Sequence, residues 1–310
     1  MEIAPFIEGL LAATIRMATP ILIAALGENL SESSGILNLG VEGTMLVGAC
    51  IGFLVAYDYK EPWFGVLAAM GAGGLIGLLM GFLSITAKVN QTVSGLSISI
   101  FGSAFSTFLF YSKFKEKLTE FPSVEGFAPV QIPLLSHIPV IGPILFRHQV
   151  LVYTGIILAA ILSILLFKTT VGIKIRAVGE NPKAADTLGI NVSRIRYSCI
   201  IFGGLMAGLA GSFLSLAYYN SFIPEMTAGR GWMAIAIVIL GEWNPLKILL
   251  GSLIFGGADA LRLRLRAVGL NVPEQFLMMI PYLLVILTLF LIARKKGGPA
   301  ALGIPYSRGG

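Results

Sequence analysis

Glu28, Asn29, Glu32, Asn38 and Glu42 fall in the short stretch Gly27–Gly43, between two apolar runs. Carboxylates and amides set at membrane depth mark pathways and paired sites, because their burial is costly without partners or a cavity. Gly35 and Gly40 allow a break in the helix there. Irregular backbone inside a bilayer survives only where protein or a water-filled cavity covers it. The stretch therefore reads as a re-entrant element beside a conduit, with a solvated turn as the alternative. Asn38 and Glu42 read as the deeper pair, and Glu28 and Glu32 are divided evenly between the two readings. A second interruption comes late in the chain, where Ala228-Gly229-Arg230-Gly231-Trp232 leads into a short apolar run ending at Gly241-Glu242-Trp243-Asn244-Pro245. Matched interruptions in two halves point to a translocation path between inverted repeats. Asn38, Glu42 and Trp232 are the residues assigned to that path.

Bond-making chemistry is not encoded. The sequence holds no G-x-x-x-x-G-K-[ST] phosphate loop, no zinc-binding helix and no nucleophile elbow. Cys50 and Cys199 lie in apolar runs without metal-ligand spacing and read as buried thiols. His137 and His148 share one proline-rich loop in unlike surroundings, so neither a metal site nor a haem is expected. The chain is expected to be no enzyme and to bind no cofactor or metal. Its energy must come from a partner subunit or an ion gradient.

The other polar concentration is KTTVGIKIRAVGENPKAADTLGINVSRIRY, from Lys168 to Tyr197. Asn181 suits an N-cap, Pro182 the first helical position and Gly189 a left-handed end, which together mark a short helix over 181–188. Ala184, Ala185 and Leu188 are expected to form its one small apolar face. A connector between two spans needs no such helix; a docking site for another protein does.

Composition supplies the frame for these features. Hydrophobic residues make up 56% of the 310 and charged residues 12%, against about 25% charged in a soluble domain. The net charge of +6 comes from residues flanking apolar runs, the pattern of topology signals. No basic stripe with interleaved aromatics suggests nucleic acid. Membrane spans need about 20 apolar residues; candidates lie near 6–26, 41–57, 63–87, 92–111, 150–167, 198–219, 231–241, 246–262 and 274–293. The expected fold is an all-α polytopic membrane protein, one permease-like domain over 1–310 with about 9 membrane segments (range about 8–10), some of them broken. The basic 168–197 loop and Arg294-Lys295-Lys296 should be cytoplasmic, which puts the 112–149 loop and the N-terminus outside. Arg262, Arg264 and Arg266 then fall near the outer face, against the rule. Gly73, Gly77 and Gly81 share a helical face, as do Gly204, Gly208 and Gly211, and are expected to pack helices together within the chain.

LSESSGILNLGVEGTMLVGA, beginning at Leu30, VGIKIRAVGENPKAADTLGINVSRIRYSCIIFGGLMAGLAG at 171–211 and TAGRGWMAIAIVILG at 227–241 resemble the permease subunits of ABC importers for simple sugars, nucleosides and branched-chain amino acids. PAALGIPY at 299–306 is most similar to the nucleoside-type branch. The resemblance implies a pore-forming subunit in the plasma (inner) membrane of a bacterium or archaeon. It implies a second permease subunit as a homo- or heterodimer partner, and a cytoplasmic ABC ATPase that holds the ATP and magnesium. An external substrate-binding lipoprotein would deliver the ligand. It also casts Glu180, Asn181, Pro182, Ala184, Ala185, Leu188 and Gly189 as the ATPase-coupling segment. Nucleosides are the leading substrate; simple sugars and then branched-chain amino acids follow. An ion-coupled secondary transporter is the reading from a different class.

Overall fold

The computed structural model describes residues 3–115, 122–131, 141–267 and 298–307, with scattered positions in the gaps. Its helices are α1 (Ile3–Ser33), α2 (Val41–Tyr59), α3 (Pro62–Gly81), α4 (Gln91–Phe114), α5 (Ile141–Leu145), α6 (Val150–Lys168), α7 (Thr170–Glu180), α8 (Pro182–Thr187), α9 (Val192–Phe213), α10 (Arg230–Leu240) and α11 (Pro245–Ala267). Wider π-type turns extend α3 through Phe82–Thr86 and α9 through Leu214–Tyr218. Strands β1 (Val130–Gln131) and β2 (Arg147–His148) form a short antiparallel ladder.

Among the described residues, 6 helical stretches are long and apolar enough to cross a membrane: α1, α2, α3, α4, α6 and α9. The seventh expected segment is α10, whose 11 residues rise about 16 Å, roughly half of a bilayer core. The eighth is α11, which carries Asp259, Arg262 and Arg264. The ninth, 274–293, and the basic residues after it lie outside the described residues except at single positions. The helical membrane architecture thus matches expectation, with 6 such stretches described where the sequence suggested about 9 segments.

Two expected boundaries move. The first span does not end near residue 26; α1 continues to Ser33, and every residue from Met17 to Ser33 is buried. A helix enclosed by protein on all sides can carry Glu28 and Glu32 in its last turns, where a lipid-facing one could not. The 168–197 loop holds α7 and α8 and the start of α9, rather than a single short helix.

Glycine decides how close the central helices lie. Gly73 and Gly77 of α3 face Gly204 and Gly208 of α9. A methyl group on Gly77 would stand 2.6 Å from the Ile200 carbonyl oxygen, and one on Gly48 of α2 would stand 2.6 Å from Gly208 Cα. Smooth faces of this kind give van der Waals contact where lipid offers no hydrophobic drive. Both glycine repeats serve packing within this chain, as expected.

The turns gather at two ends of the bundle. At one, which carries the basic 168–197 segment, Leu37 N donates to Gln91 Oε1 (2.8 Å) and Gly303 N donates to the Gly35 carbonyl (3.1 Å). At the other, Lys113 pairs with Asp58, and residues 124–127 hydrogen-bond to 216–220. Arg264 lies over the Phe6 ring, 6.0 Å from its centroid.

Candidate translocation and coupling sites

Glu42 joins the two interruptions. Its Oε1 accepts from Thr227 Oγ1 (2.5 Å) and Gly229 N (2.8 Å), and its Oε2 accepts from Gly231 N (2.6 Å). The first N–H groups of a helix have no partner within it and carry the positive end of its dipole. A carboxylate at the start of α10 satisfies both. Gly231 makes this approach feasible, since a Cβ there would lie 2.6 Å from the Glu42 backbone nitrogen. On the other side of the break, Asn38 folds back along α1: its N–H donates to Glu28 Oε1 (3.0 Å), and its Oδ1 accepts from Gly40 N (3.0 Å).

Helix α4 gives the depth of these groups. Gln91 stands at the basic end. A Cβ on Gly43, next to Glu42, would lie 2.6 Å from Ser99 Cα, and Ser103 Oγ donates to Glu225 Oε1. At about 1.5 Å per residue, Glu42 lies roughly 10 Å and Glu225 roughly 18 Å inward from Gln91. Both are far from either end of the 24-residue helix.

All four groups of the first interruption are enclosed: Glu28 and Glu32 are each 1% exposed, Asn38 4% and Glu42 9%, so burial extends to the two carboxylates that the sequence left divided between a turn and a conduit. Glu32 Oε2 accepts from Trp243 Nε1 (2.6 Å). Glu28 Oε2 and Glu32 Oε1 have no hydrogen-bond partner among the described residues. Trp232, in the first turn of α10, is 39% exposed and makes no part of the Glu42 contact.

Sequence reasoning passed over a buried ion pair. Arg230 Nη2 lies 3.1 Å from Asp259 Oδ2, and Arg262 Nη2 lies 3.5 Å from Asp259 Oδ1. Asp259 is an acid inside an apolar run, a signal that was legible. The pairing also gives Arg262 a role, as a countercharge rather than a topology signal. Arg266 has no described side chain. His137 lies outside the described residues. His148 is buried, and its Nε2 lies 2.7 Å from the Ile144 carbonyl. Burial holds its imidazole below the ordinary pKa, with Arg16 adding to the shift and the Ile144 bond opposing it.

In the basic segment, Asn181 Oδ1 accepts from Ala184 N (3.0 Å), and Gly189 takes a left-handed φ of 77°. The helix α8 is capped as its residues suggest. Its expected apolar face is not continuous, however. Ala185 is 2% exposed and packs with Val178, Val192 and Tyr306, while Leu188 is 79% exposed. Ala185 therefore anchors α8 to its own chain, and Lys183, Ala184, Thr187 and Leu188 form the free side.

The C-terminal segment straps this region down. Ala301 N donates to the Gly179 carbonyl (2.9 Å), and Ala300 N donates to Glu180 Oε2 (3.2 Å). Arg196, at 1% exposure, donates to the carbonyls of Ser34 (3.1 Å) and Ile304 (3.1 Å). It is a buried staple where a solvated topology charge was expected.

The profile of a family described as "Branched-chain amino acid transport system / permease component" matches residues 10–289. The chain belongs to this family. Among relatives of this permease, a guanosine ABC transporter permease of Bacillus subtilis is 35% identical over 100% of this chain and 99% of its own length. A Haloferax volcanii protein, provisionally named a glucose ABC transporter permease, is 40% identical over 86% of this chain and 80% of its own. An inward-facing metal-chelate type ABC transporter structure matches 92% of this chain and 85% of its own, with a TM-score of 0.53 at 16% identity; that likeness shows the fold alone. The chain is an ABC transporter permease and a multi-pass membrane protein, which removes the ion-coupled alternative. Membership in this family implies ATPase and substrate-binding partners in general.

Proposed function

We propose that this permease forms the translocation path of a nucleoside importer, paired with a second permease subunit. Two cytoplasmic cassettes hydrolyse ATP for it, a reading supported by the lack of a G-x-x-x-x-G-K-[ST] phosphate loop in this sequence. An external lipoprotein supplies the substrate. The observation that carries the substrate reading is the end-to-end match to the guanosine permease, which includes the strap at 298–306. Simple-sugar import is the second reading, favoured by the 40% identity to the Haloferax volcanii protein.

The basic end faces the cytoplasm in this reading, with the 112–149 side and the N-terminus outside. The free side of α8 meets the cassette. Glu180, Asn181, Pro182 and Gly189 shape and hold that helix, Ala184 and Leu188 touch the partner, and Ala185 anchors it from behind. The strap then links any movement of α8 to the turn after α1, and from there to Glu42 and α10. An inverted repeat relating the two interruptions agrees with their approach from opposite ends of the bundle.

Competition for uptake tests the substrate. Proteoliposomes holding the assembled transporter should take up tritiated guanosine when ATP is supplied, with unlabelled guanosine competing and glucose or leucine inert. Uptake of glucose with no effect of guanosine would replace the nucleoside reading with the sugar one. Uptake by this chain alone would overturn the reading as a whole. Cysteines placed at Ser123 and Ser193 test orientation. An impermeant reagent on intact cells should label only the first.

A further inference from the structure

The bundle encloses most of the carboxylates that it carries at depth: Glu28, Glu32, Glu42 and Asp259 are all buried. Glu225 is treated differently. It is exposed, although Ser103 Oγ, which donates to its Oε1, stands near the middle of α4. Ala228 and Trp232 are exposed as well, one turn and two turns further along the chain. A carboxylate at that depth cannot face hydrocarbon without a large cost, so a water-filled cavity is what meets it.

The backbone around it is strained. Glu225 and Ala228 hold φ angles of 58° and 47°, in the left-handed region that side chains disfavour, and Ala228 N closes the turn onto the Glu225 carbonyl (3.0 Å). Strain of this kind persists where the fold has to place a side chain. Ser103 Oγ donates to one carboxylate oxygen of Glu225, and the exposed side chain presents the other. An ionised carboxylate only accepts hydrogen bonds, so its natural solute is a donor. Ser103 fixes its orientation, and the exposed indole of Trp232 offers an apolar face to the flat side of a ring.

We propose that Glu225 is a substrate-binding residue of the path, accepting hydrogen bonds from the hydroxyl groups of a sugar ring as it crosses mid-membrane. The choice of a ribose-bearing solute over a free sugar rests on the nucleoside reading above; the hydroxyl chemistry is common to both.

The test uses the assembled transporter. Cys50 and Cys199 are buried, which makes an introduced Ala228→Cys the reporter. It should react with an impermeant, charged thiol reagent, and saturating guanosine should slow that reaction about tenfold. Adding Glu225→Gln should raise the guanosine concentration needed for protection about tenfold, and should raise the KM for uptake by a similar factor while kcat changes less. Ser103→Ala leaves the charge but frees its orientation, and should shift both by about threefold. Protection by glucose and not guanosine would keep the hydroxyl site and overturn the nucleoside reading alone. Absence of labelling at Ala228→Cys, protection unchanged by Glu225→Gln, or protection by leucine would each overturn the site. So would failure of Glu225→Gln to assemble together with normal transport by Ser103→Ala.

Discussion

The two interruptions of the helical bundle differ in what holds them. Residues 34–40 are enclosed, and among them only Gly35 takes a left-handed φ (91°), the conformation glycine adopts freely. Polar groups nearby are tied to backbone: Asn38 to Glu28 and Gly40, and Ser34 to Ser31 and Arg196. Residues 219–229 expose Ile223, Glu225 and Ala228 and hold left-handed φ at Asn220, Glu225, Ala228 and Gly229. Non-glycine residues in that region cost about 1–2 kcal/mol each. The first break is an anchor held by bonds, and the second is a strained, open element pinned to the anchor by Glu42. A path that opens and closes needs both.

Removing the pin should have the largest effect. Glu42→Ala leaves the Thr227 hydroxyl and the Gly229 and Gly231 N–H groups unsatisfied in a dry site, at about 1–3 kcal/mol each. The variant should lose most of its folded yield in detergent, read by size-exclusion profile. Native-like melting of Glu42→Ala would mean that the two breaks are independent.

The same division between anchor and open face recurs in α8, and two arginines sharpen it. Ala185→Arg buries an unpaired charge, at a cost of several kcal/mol, and should unfold the end of the bundle that carries α8 rather than merely uncouple it. Leu188→Arg, on the free side, should change stability by no more than about 0.5 kcal/mol yet fail to retain the cassette on purification. If both variants fold and both lose the cassette, Ala185 belongs to the docking face after all.

Smaller changes probe the strain directly. Gly35→Ala puts a side chain at φ 91° and 2.7 Å from Arg196 Nη2, so melting should reveal a loss of about 1–2 kcal/mol. Ala228→Gly relieves strain of the same kind and should be neutral or stabilising by up to about 1 kcal/mol. Equal losses at both positions would erase the contrast.

The smallest effect is one of pH, at the strand β2 rather than at either break. The folded state holds His148 below its ordinary pKa of 6.5. Its contribution to stability is therefore complete above about that value. Below it, the contribution fades, because the unfolded chain takes up a proton the folded one resists. Melting temperature should fall between pH 7.5 and 5.5, and His148→Asn should flatten that part of the curve. An unchanged slope would remove the role of His148.

Much was legible in the residues themselves. The apolar runs declared a helical membrane protein, because about 20 apolar residues have no other stable use. The cap at Asn181 and the stop at Gly189 depend on neighbours in sequence and came out as read. The glycine repeats announced close helix contacts within the chain. What failed was the reading of which charged and small residues near the helix ends would be covered. Glu32 and Arg196 look like surface charges until the last turns of α1, the C-terminal strap and Trp243 close over them. Ala185 looks like its neighbour Ala184 until Val178, Val192 and Tyr306 select one of the two.

Local sequence determined where helices start, stop and run smooth, because capping and backbone preference act over a few residues. Only the tertiary structure decided that Glu28, Glu32, Glu42 and Asp259 are enclosed and that Glu225 is exposed. That choice depends on groups far apart in the chain, as Glu42 and Gly231 are, meeting at hydrogen-bond distance.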